Sequence, residues 1–270
     1  MNKLGFLFVL TTAMLWADFG IQNQLEFHAK YQTLGFGLRD VLTYLRADGA
    51  IPLPGQWEMY VRLDIPYMWL WGKEKEVISI GDDGIIVPPE APDAHTIVKK
   101  TPFQEAGLAD VGGRFFFVTP GLDQAKSLAI GFGSEFGFPT AQEVDLGTGK
   151  YWARPMVGFK WDIPNLGYGS WLAFLLKYQF SFAGHKDRSP FQIFAMQPVF
   201  VYPFAPTWTL CFSPEIQYTV RGTAWFVPIA ASLTKAFTSH FSLSLSYQKG
   251  LVTNFFVFKN EVELTMRYVF

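Results

Sequence analysis

The stretch Trp57-Glu58-Met59-Tyr60-Val61-Arg62-Leu63-Asp64-Ile65-Pro66-Tyr67-Met68-Trp69 decides the fold. Its odd positions are all apolar or aromatic, whereas its even positions include Glu58, Arg62 and Asp64. A period of two puts these sets on opposite faces of a β-strand, while a helix would mix them within two turns. The C-terminus repeats the pattern, with Val262, Leu264, Met266, Tyr268 and Phe270 alternating with Glu261, Glu263, Thr265 and Arg267. Between Leu172 and Phe182 the even positions are apolar, set against Lys177, Gln179 and Ser181.

Working outward, about twelve such segments are found, at 24–33, 39–51, 56–69, 107–118, 126–138, 151–163, 169–182, 191–203, 208–219, 224–236, 240–251 and 259–270. Each reaches the roughly 9–11 residues that a tilted strand needs to cross a bilayer. Pro155, Pro198, Pro214 and Pro228 fall inside predicted strands and suggest bulges, because proline cannot donate to the ladder.

Alternation alone does not say which face is wet. Three features favour an apolar face turned outward to lipid. A lipocalin-type interior closes with about eight strands, and some twelve would leave a wide apolar cavity to fill. Aromatics gather near strand ends, as Tyr67/Trp69, Tyr151/Trp161, Trp208/Tyr218, Trp225 and Tyr268/Phe270, where interfacial girdles sit. The N-terminus, finally, reads as an export signal. Met1-Asn2-Lys3 supplies a positive start, Leu4 to Leu10 has no polar side chain, and Ala17 is a small residue before Asp18. The expected organisation is a signal peptide over 1–17 and a transmembrane antiparallel up-and-down β-barrel over 18–270, with a long external loop at about 70–106.

Composition agrees with an all-β membrane barrel. Of 270 residues, 50% are hydrophobic, 18% aromatic and only 17% charged, against about 25% charged in soluble domains. A formal net charge of −1 argues against a nucleic-acid partner. The single cysteine, Cys211, excludes an intramolecular disulfide and a paired-cysteine metal or redox site.

Charges fall on the polar parity, so candidate lumen-lining residues are Arg62, Asp64, Asp110, Arg114, Glu135, Arg154, Lys160, Lys177, Glu215, Glu263 and Arg267. A basic side chain at the lipid midplane would cost about 2–4 kcal/mol, which holds the register. Lys235 and Lys249 break the parity near strand ends, where snorkelling is cheap. Opposed charges on such a lining either tune selectivity or pair to brace the wall. Connections alternate between short turns, such as Phe204–Thr207, and longer loops, such as Pro139 to Lys150 and Ala183 to Pro190. All the long ones fall on one side, the exterior if the N-terminus is periplasmic.

From Gly107 onward the motifs Gly107-Leu108-Ala109-Asp110, Phe138-Pro139-Thr140, Leu146-Gly147-Thr148-Gly149-Lys150 and Ser181-Phe182-Ala183-Gly184 with Arg188 form a recognisable series. Gln197-Pro198 with Tyr202, Trp225 with Val227-Pro228-Ile229, and upstream Trp57, Arg62 and Ile65-Pro66 continue it. The chain thus resembles the outer-membrane transporter family associated with the meta-cleavage pathway of phenol degradation. It departs at Ala230-Ala231-Ser232, where that family's pattern has glycines, and in the acidic loop around Asp82 to Asp93. The resemblance implies a β-barrel with a transport role and supplies no catalytic residues.

Catalytic groupings are weak. His185, Asp187 and Ser189 lie within five loop residues, and a working triad needs groups that converge from separate places. Asp82-Asp83 with His95 lacks the spacing of a metal site. His28 and His240, near predicted strand ends, read as polar or interfacial residues. Gly131 and Gly133 have no helix behind them, which rules out a phosphate loop.

The expectation is therefore a non-enzymatic channel for passive uptake of small solutes, with hydrophobic or aromatic ones implied by the resemblance, across the outer membrane of a Gram-negative-type bacterium. It needs no cofactor. A structural or adhesive surface barrel and a lipid-modifying enzyme are the alternatives. Expected partners are outer-membrane lipid, small-molecule solutes and the barrel-assembly machinery, which would read the last strand through Tyr268 and Phe270. Nothing in the pattern speaks to oligomeric state.

Overall fold

The structure, a computed structural model, describes residues 23–34, 38–72, 78–80, 86–87, 95–97, 103–122, 127–163, 166, 169–253 and 258–270. The expected signal peptide and the acidic loop around 82–93 lie largely or wholly outside them. Twelve strand positions form one sheet. The first six are β1 (Gln24–Thr33), β2 (Arg39–Pro52), β3 (Glu58–Gly72), β4 (Phe103–Leu108 and Val111–Val118), β5 (Leu128–Phe138) and β6 (Lys150–Ile163). The others are β7 (Ser170–Gly184), β8 (Gln192–Ala205), β9 (Trp208–Phe212 and Ile216–Thr219), β10 (Ala224–Ala236), β11 (Phe241–Thr253) and β12 (Asn260–Val269). Every strand is antiparallel to its neighbours in sequence, and β1 pairs β12 from Gln24 opposite Val269 to Thr33 opposite Asn260. The sheet closes on itself, and among its described strands only the upper half of β4 (Phe103–Leu108) keeps an unpaired side, since it pairs with β3 alone.

The outer face is apolar. Leu45, Leu63, Ile65, Phe132, Val157, Phe159, Leu245 and Leu264 are all exposed on it, as the alternation requires. So continuous an apolar surface matches a bilayer rather than water. Aromatic rings mark its rims: Tyr67 and Trp69 stand 4.5 Å apart at one end, and Tyr268 and Phe270 stand 6.3 Å apart at the other. Lys235 behaves as a snorkelling residue. Its ammonium reaches Thr207 Oγ1 at 2.7 Å and lies over the Trp208 ring at 4.8 Å, beside the short turn between β8 and β9.

Two strands are broken where the alternation reads as continuous. The segment predicted at 107–118 starts at Phe103 and is interrupted at Ala109–Asp110. Below the break β4 pairs Gly112 with Asp64, and above it Leu108 with Tyr67, a shift of one residue in register. The shift reverses the facing, so odd residues such as Phe115 point outward below the break while Leu108 does so above it. Likewise β9 is interrupted at Ser213–Glu215, around Pro214. Of the four prolines, Pro228 sits at a true register shift, between β10 and β11. Pro214 occupies a gap in the ladder without a shift, since Phe212 and Ile216 keep one register against β8. The strands β3 and β4 also run past the ends predicted from sequence, to Gly72 and from Phe103, which shortens the long connection between them.

The free side of the upper half of β4 is covered by the 139–149 loop. Leu108 N donates to Gln142 Oε1 at 3.0 Å and Leu108 O accepts Gln142 N at 3.0 Å. Gly133 on β5 is required by close approach, because a Cβ there would meet the Phe115 carbonyl oxygen at 2.1 Å.

Candidate functional site

The inward face of the wall carries a belt of ions at mid-height. Asp48, Arg62, Arg114, Glu135 and Arg154 are direct cross-strand partners in turn across β2, β3, β4, β5 and β6. Arg62 Nε donates to Asp48 Oδ1 at 2.7 Å, and Arg154 Nε donates to Glu135 Oε2 at 2.7 Å. Arg154 then reaches Glu215 Oε1 at 3.0 Å, three strand positions away on the interrupted β9. The other Glu215 oxygen accepts the Lys177 ammonium at 2.5 Å, and Lys177 also donates to Gln197 Oε1 at 2.7 Å. The row alternates in sign everywhere except at Arg62 and Arg114, where two cations meet.

A second cluster continues the belt through β1, β2 and β12. Glu26 takes Arg267 Nε at 2.5 Å on one oxygen and His28 Nε2 at 2.8 Å on the other. The other ring nitrogen of His28 lies 2.6 Å from Glu263, and the ring stacks on Tyr44 at 4.1 Å between centroids. Tyr44 donates to the same Glu263 oxygen at 2.7 Å, and Arg46 holds Asp64 through two nitrogens, at 2.7 and 3.3 Å. Lys30 stands 3.3 Å from Glu261. Ion pairs of this kind neutralise charge that would otherwise be left in a poorly hydrated interior.

Below the belt, towards the turns that share the side of the chain ends, the lumen is packed. Tyr60, Phe116, Met156, Trp171, Val199 and Val201 form a buried apolar cluster from β3, β4, β6, β7 and β8. Across the lumen the wall changes character: Ala230, Ser232 and Thr234 on β10 face Ser244 and Ser246 on β11, with Thr234 Oγ1 donating to Ser244 Oγ at 3.0 Å. Small side chains there leave space. A cavity of about 360 Å³ results, walled by the charged belt on one side and these small residues on the other.

Of the residues singled out from sequence, Arg62, Arg114, Glu135, Lys177, Glu263 and Arg267 border this cavity. Asp64, Arg154 and Glu215 stand one contact behind, in ion pairs with those or with Arg46. Lys160 lies lower, 3.1 Å from Asp162 and over the Trp171 ring at 5.2 Å. Asp110 is set apart from the wall. At the break in β4 its carboxylate accepts Ala141 N at 3.2 Å, Thr148 N at 2.6 Å and Thr148 Oγ1 at 2.8 Å, which ties down the 139–149 loop. The parity that placed it in the lumen ends at that break. Tyr268 and Phe270 lie on the outer face at the chain-end rim, both exposed.

His28, read from sequence as a polar or interfacial residue near a strand end, is polar but not interfacial: it is buried in mid-strand between two glutamates. Glu26, Tyr44 and Arg46 border the cavity with it, and Lys30, Asp48 and Glu261 stand behind in ion pairs, none of them among the candidates read from sequence. Their signal was present, since Glu26, His28 and Lys30 share one parity of β1, as do Tyr44, Arg46 and Asp48 on β2. His240 does sit at a rim, its Nδ1 2.8 Å from the Val269 carbonyl oxygen. In the 185–190 loop, the Lys150 ammonium donates to the His185 carbonyl at 2.6 Å and Arg188 lies 4.0 Å from Asp145. Among the described residues no three His, Cys, Asp or Glu side chains stand together as a metal site.

No family model matches the sequence, and no curated protein matches it. Solved structures do. An outer membrane channel from Pseudomonas putida F1 superposes with a TM-score of 0.70 at 11% identity, over 93% of this chain and 96% of that one. The NanC porin gives 0.56 at 10% identity, over 91% and 100% of the two chains. The CymD monoaromatic hydrocarbon channel gives 0.52 at 8% identity, over 100% and 93%. At such identities the likeness is one of fold, and together with the apolar belt it makes this chain a twelve-stranded barrel of the outer-membrane type.

Proposed function

We propose that the protein is a passive outer-membrane channel for small solutes, hydrophobic and aromatic ones among them. One observation carries the reading: a closed barrel encloses a cavity of about 360 Å³ between a charged wall and a wall of small residues. A barrel built only as a scaffold gains nothing from leaving Ala230, Ser232, Ser244 and Ser246 where larger side chains would fill the space. The channel descriptions of the Pseudomonas protein and of CymD support the reading, the latter for aromatic solutes. So does the motif series from Gly107 onward, which resembles that of a transporter family associated with phenol degradation.

The apolar packing around Trp171 and Tyr60 narrows the path at one end, so unitary conductance is expected to be low. Single-channel recording of the refolded protein in a planar bilayer tests the proposal. Discrete steps are expected. Silence from a protein whose gel mobility is still heat-modifiable would sink the channel and leave a structural or adhesive barrel.

A further inference from the structure

We propose that Arg114, with Arg62 beside it, is a docking point inside the lumen for the carboxylate of a small organic acid whose body is apolar. This deepens the channel reading and rests on it for the route by which the acid arrives.

Arg114 is the surplus cation of the belt. Its nearest anionic contact is Glu135 Oε1 at 3.8 Å, while the other Glu135 oxygen is already held by Arg154 at 2.7 Å. Its cross-strand partner on β3 is Arg62, whose own Nε is engaged by Asp48 at 2.7 Å. Two like charges placed directly opposite each other destabilise a strand pair, so this juxtaposition is costly unless an anion sits between them. Arg114 Nε is also buried without a hydrogen-bond partner. Native interiors satisfy nearly all such donors, so an arginine that borders a cavity with its Nε unbonded and its one ion pair long has hydrogen-bonding capacity left for a carboxylate.

Both arginines border the cavity. The planar fork of a guanidinium matches a carboxylate, which it binds through two parallel bonds. The rest of the ligand is set by what the cavity offers besides ions. Leu175, Val199, Val201 and Ala230 border the same space and supply an apolar surface. A carboxylate on an aromatic or short aliphatic body meets both requirements, and benzoate is the simplest such probe.

Calorimetric titration of the folded barrel in detergent with benzoate, acetate and benzamide tests the site without requiring conductance. Saturable benzoate binding is expected, with benzamide at least about tenfold weaker because it lacks the charge, and acetate weaker because it lacks the body. Arg114→Gln should weaken benzoate by about tenfold or more, and Arg114→Lys should fall between the two. Heat-modifiable mobility checks that each variant is folded. Equal binding of benzoate and benzamide, or an Arg114→Gln variant that binds like the parent protein, would overturn the carboxylate site. Acetate binding as tightly as benzoate would overturn the apolar body. Bilayer recordings with benzoate separate the two readings: saturable binding to a protein that never conducts would keep the site and remove the channel.

Discussion

At the scale of single residues the wall is held by side chains that each serve two partners. Arg154 joins Glu135 on β5 to Glu215 on β9, and Glu215 in turn holds Lys177 on β7. Removing a shared partner leaves two carboxylates facing each other in a confined space. Arg154→Met is therefore expected to destabilise the barrel by about 3 kcal/mol, the cost of breaking a buried ion pair from one side. The urea midpoint for unfolding from lipid vesicles should fall accordingly. Adding Glu135→Gln should restore part of the loss, because the uncompensated charge goes with it. An unchanged midpoint in the single variant would mean that water already neutralises the belt. Arg154, Glu135, Lys177 and Glu215 were legible as lumen candidates because parity alone places them. Their pairing was not, because it joins residues as far apart as Arg154 and Glu215.

At the scale of elements the instructive strand is β4. Its lower half follows the alternation, and its upper half follows the opposite parity after the slip at Ala109–Asp110. The slip is stable because Asp110 staples the 139–149 loop over the exposed edge, with three hydrogen bonds to Ala141 and Thr148. Asp110→Ala should loosen that loop while leaving the barrel closed. Limited proteolysis of the folded protein is expected to nick the 139–149 segment several-fold faster than in the parent, with heat-modifiable mobility retained. Cleavage at the parent rate would show that Gln142, together with Thr140, whose Oγ1 accepts Val111 N at 2.9 Å, holds the loop unaided. By contrast β1, β3 and β12 keep one parity from end to end, and for β3 and β12 the facing is the one read from sequence.

At the scale of the whole molecule, closure depends on β1 meeting β12, the first and last strands of the barrel. The final strand ends on Tyr268 and Phe270, exposed on the outer rim beside His240. An assembly machinery that reads this rim is proposed, and it makes a separable prediction. Phe270→Ala should lower the amount of folded barrel recovered from outer membranes by several-fold, while refolding from urea into detergent proceeds as in the parent. A loss of equal size in both settings would assign Phe270 to barrel stability instead.

The strand period, a count of about twelve positions and the polarity of each face are legible in the sequence. These are local properties, set by whether neighbouring side chains prefer lipid or water, and local composition carries them. Where parity slips, which ions share a partner and where small side chains leave a cavity are legible only in the tertiary structure. Those depend on which strands are brought opposite one another when the sheet closes. Arg114 shows the difference most clearly: parity points it inward, but only register puts a second arginine beside it, and its Nε is left without a hydrogen-bond partner.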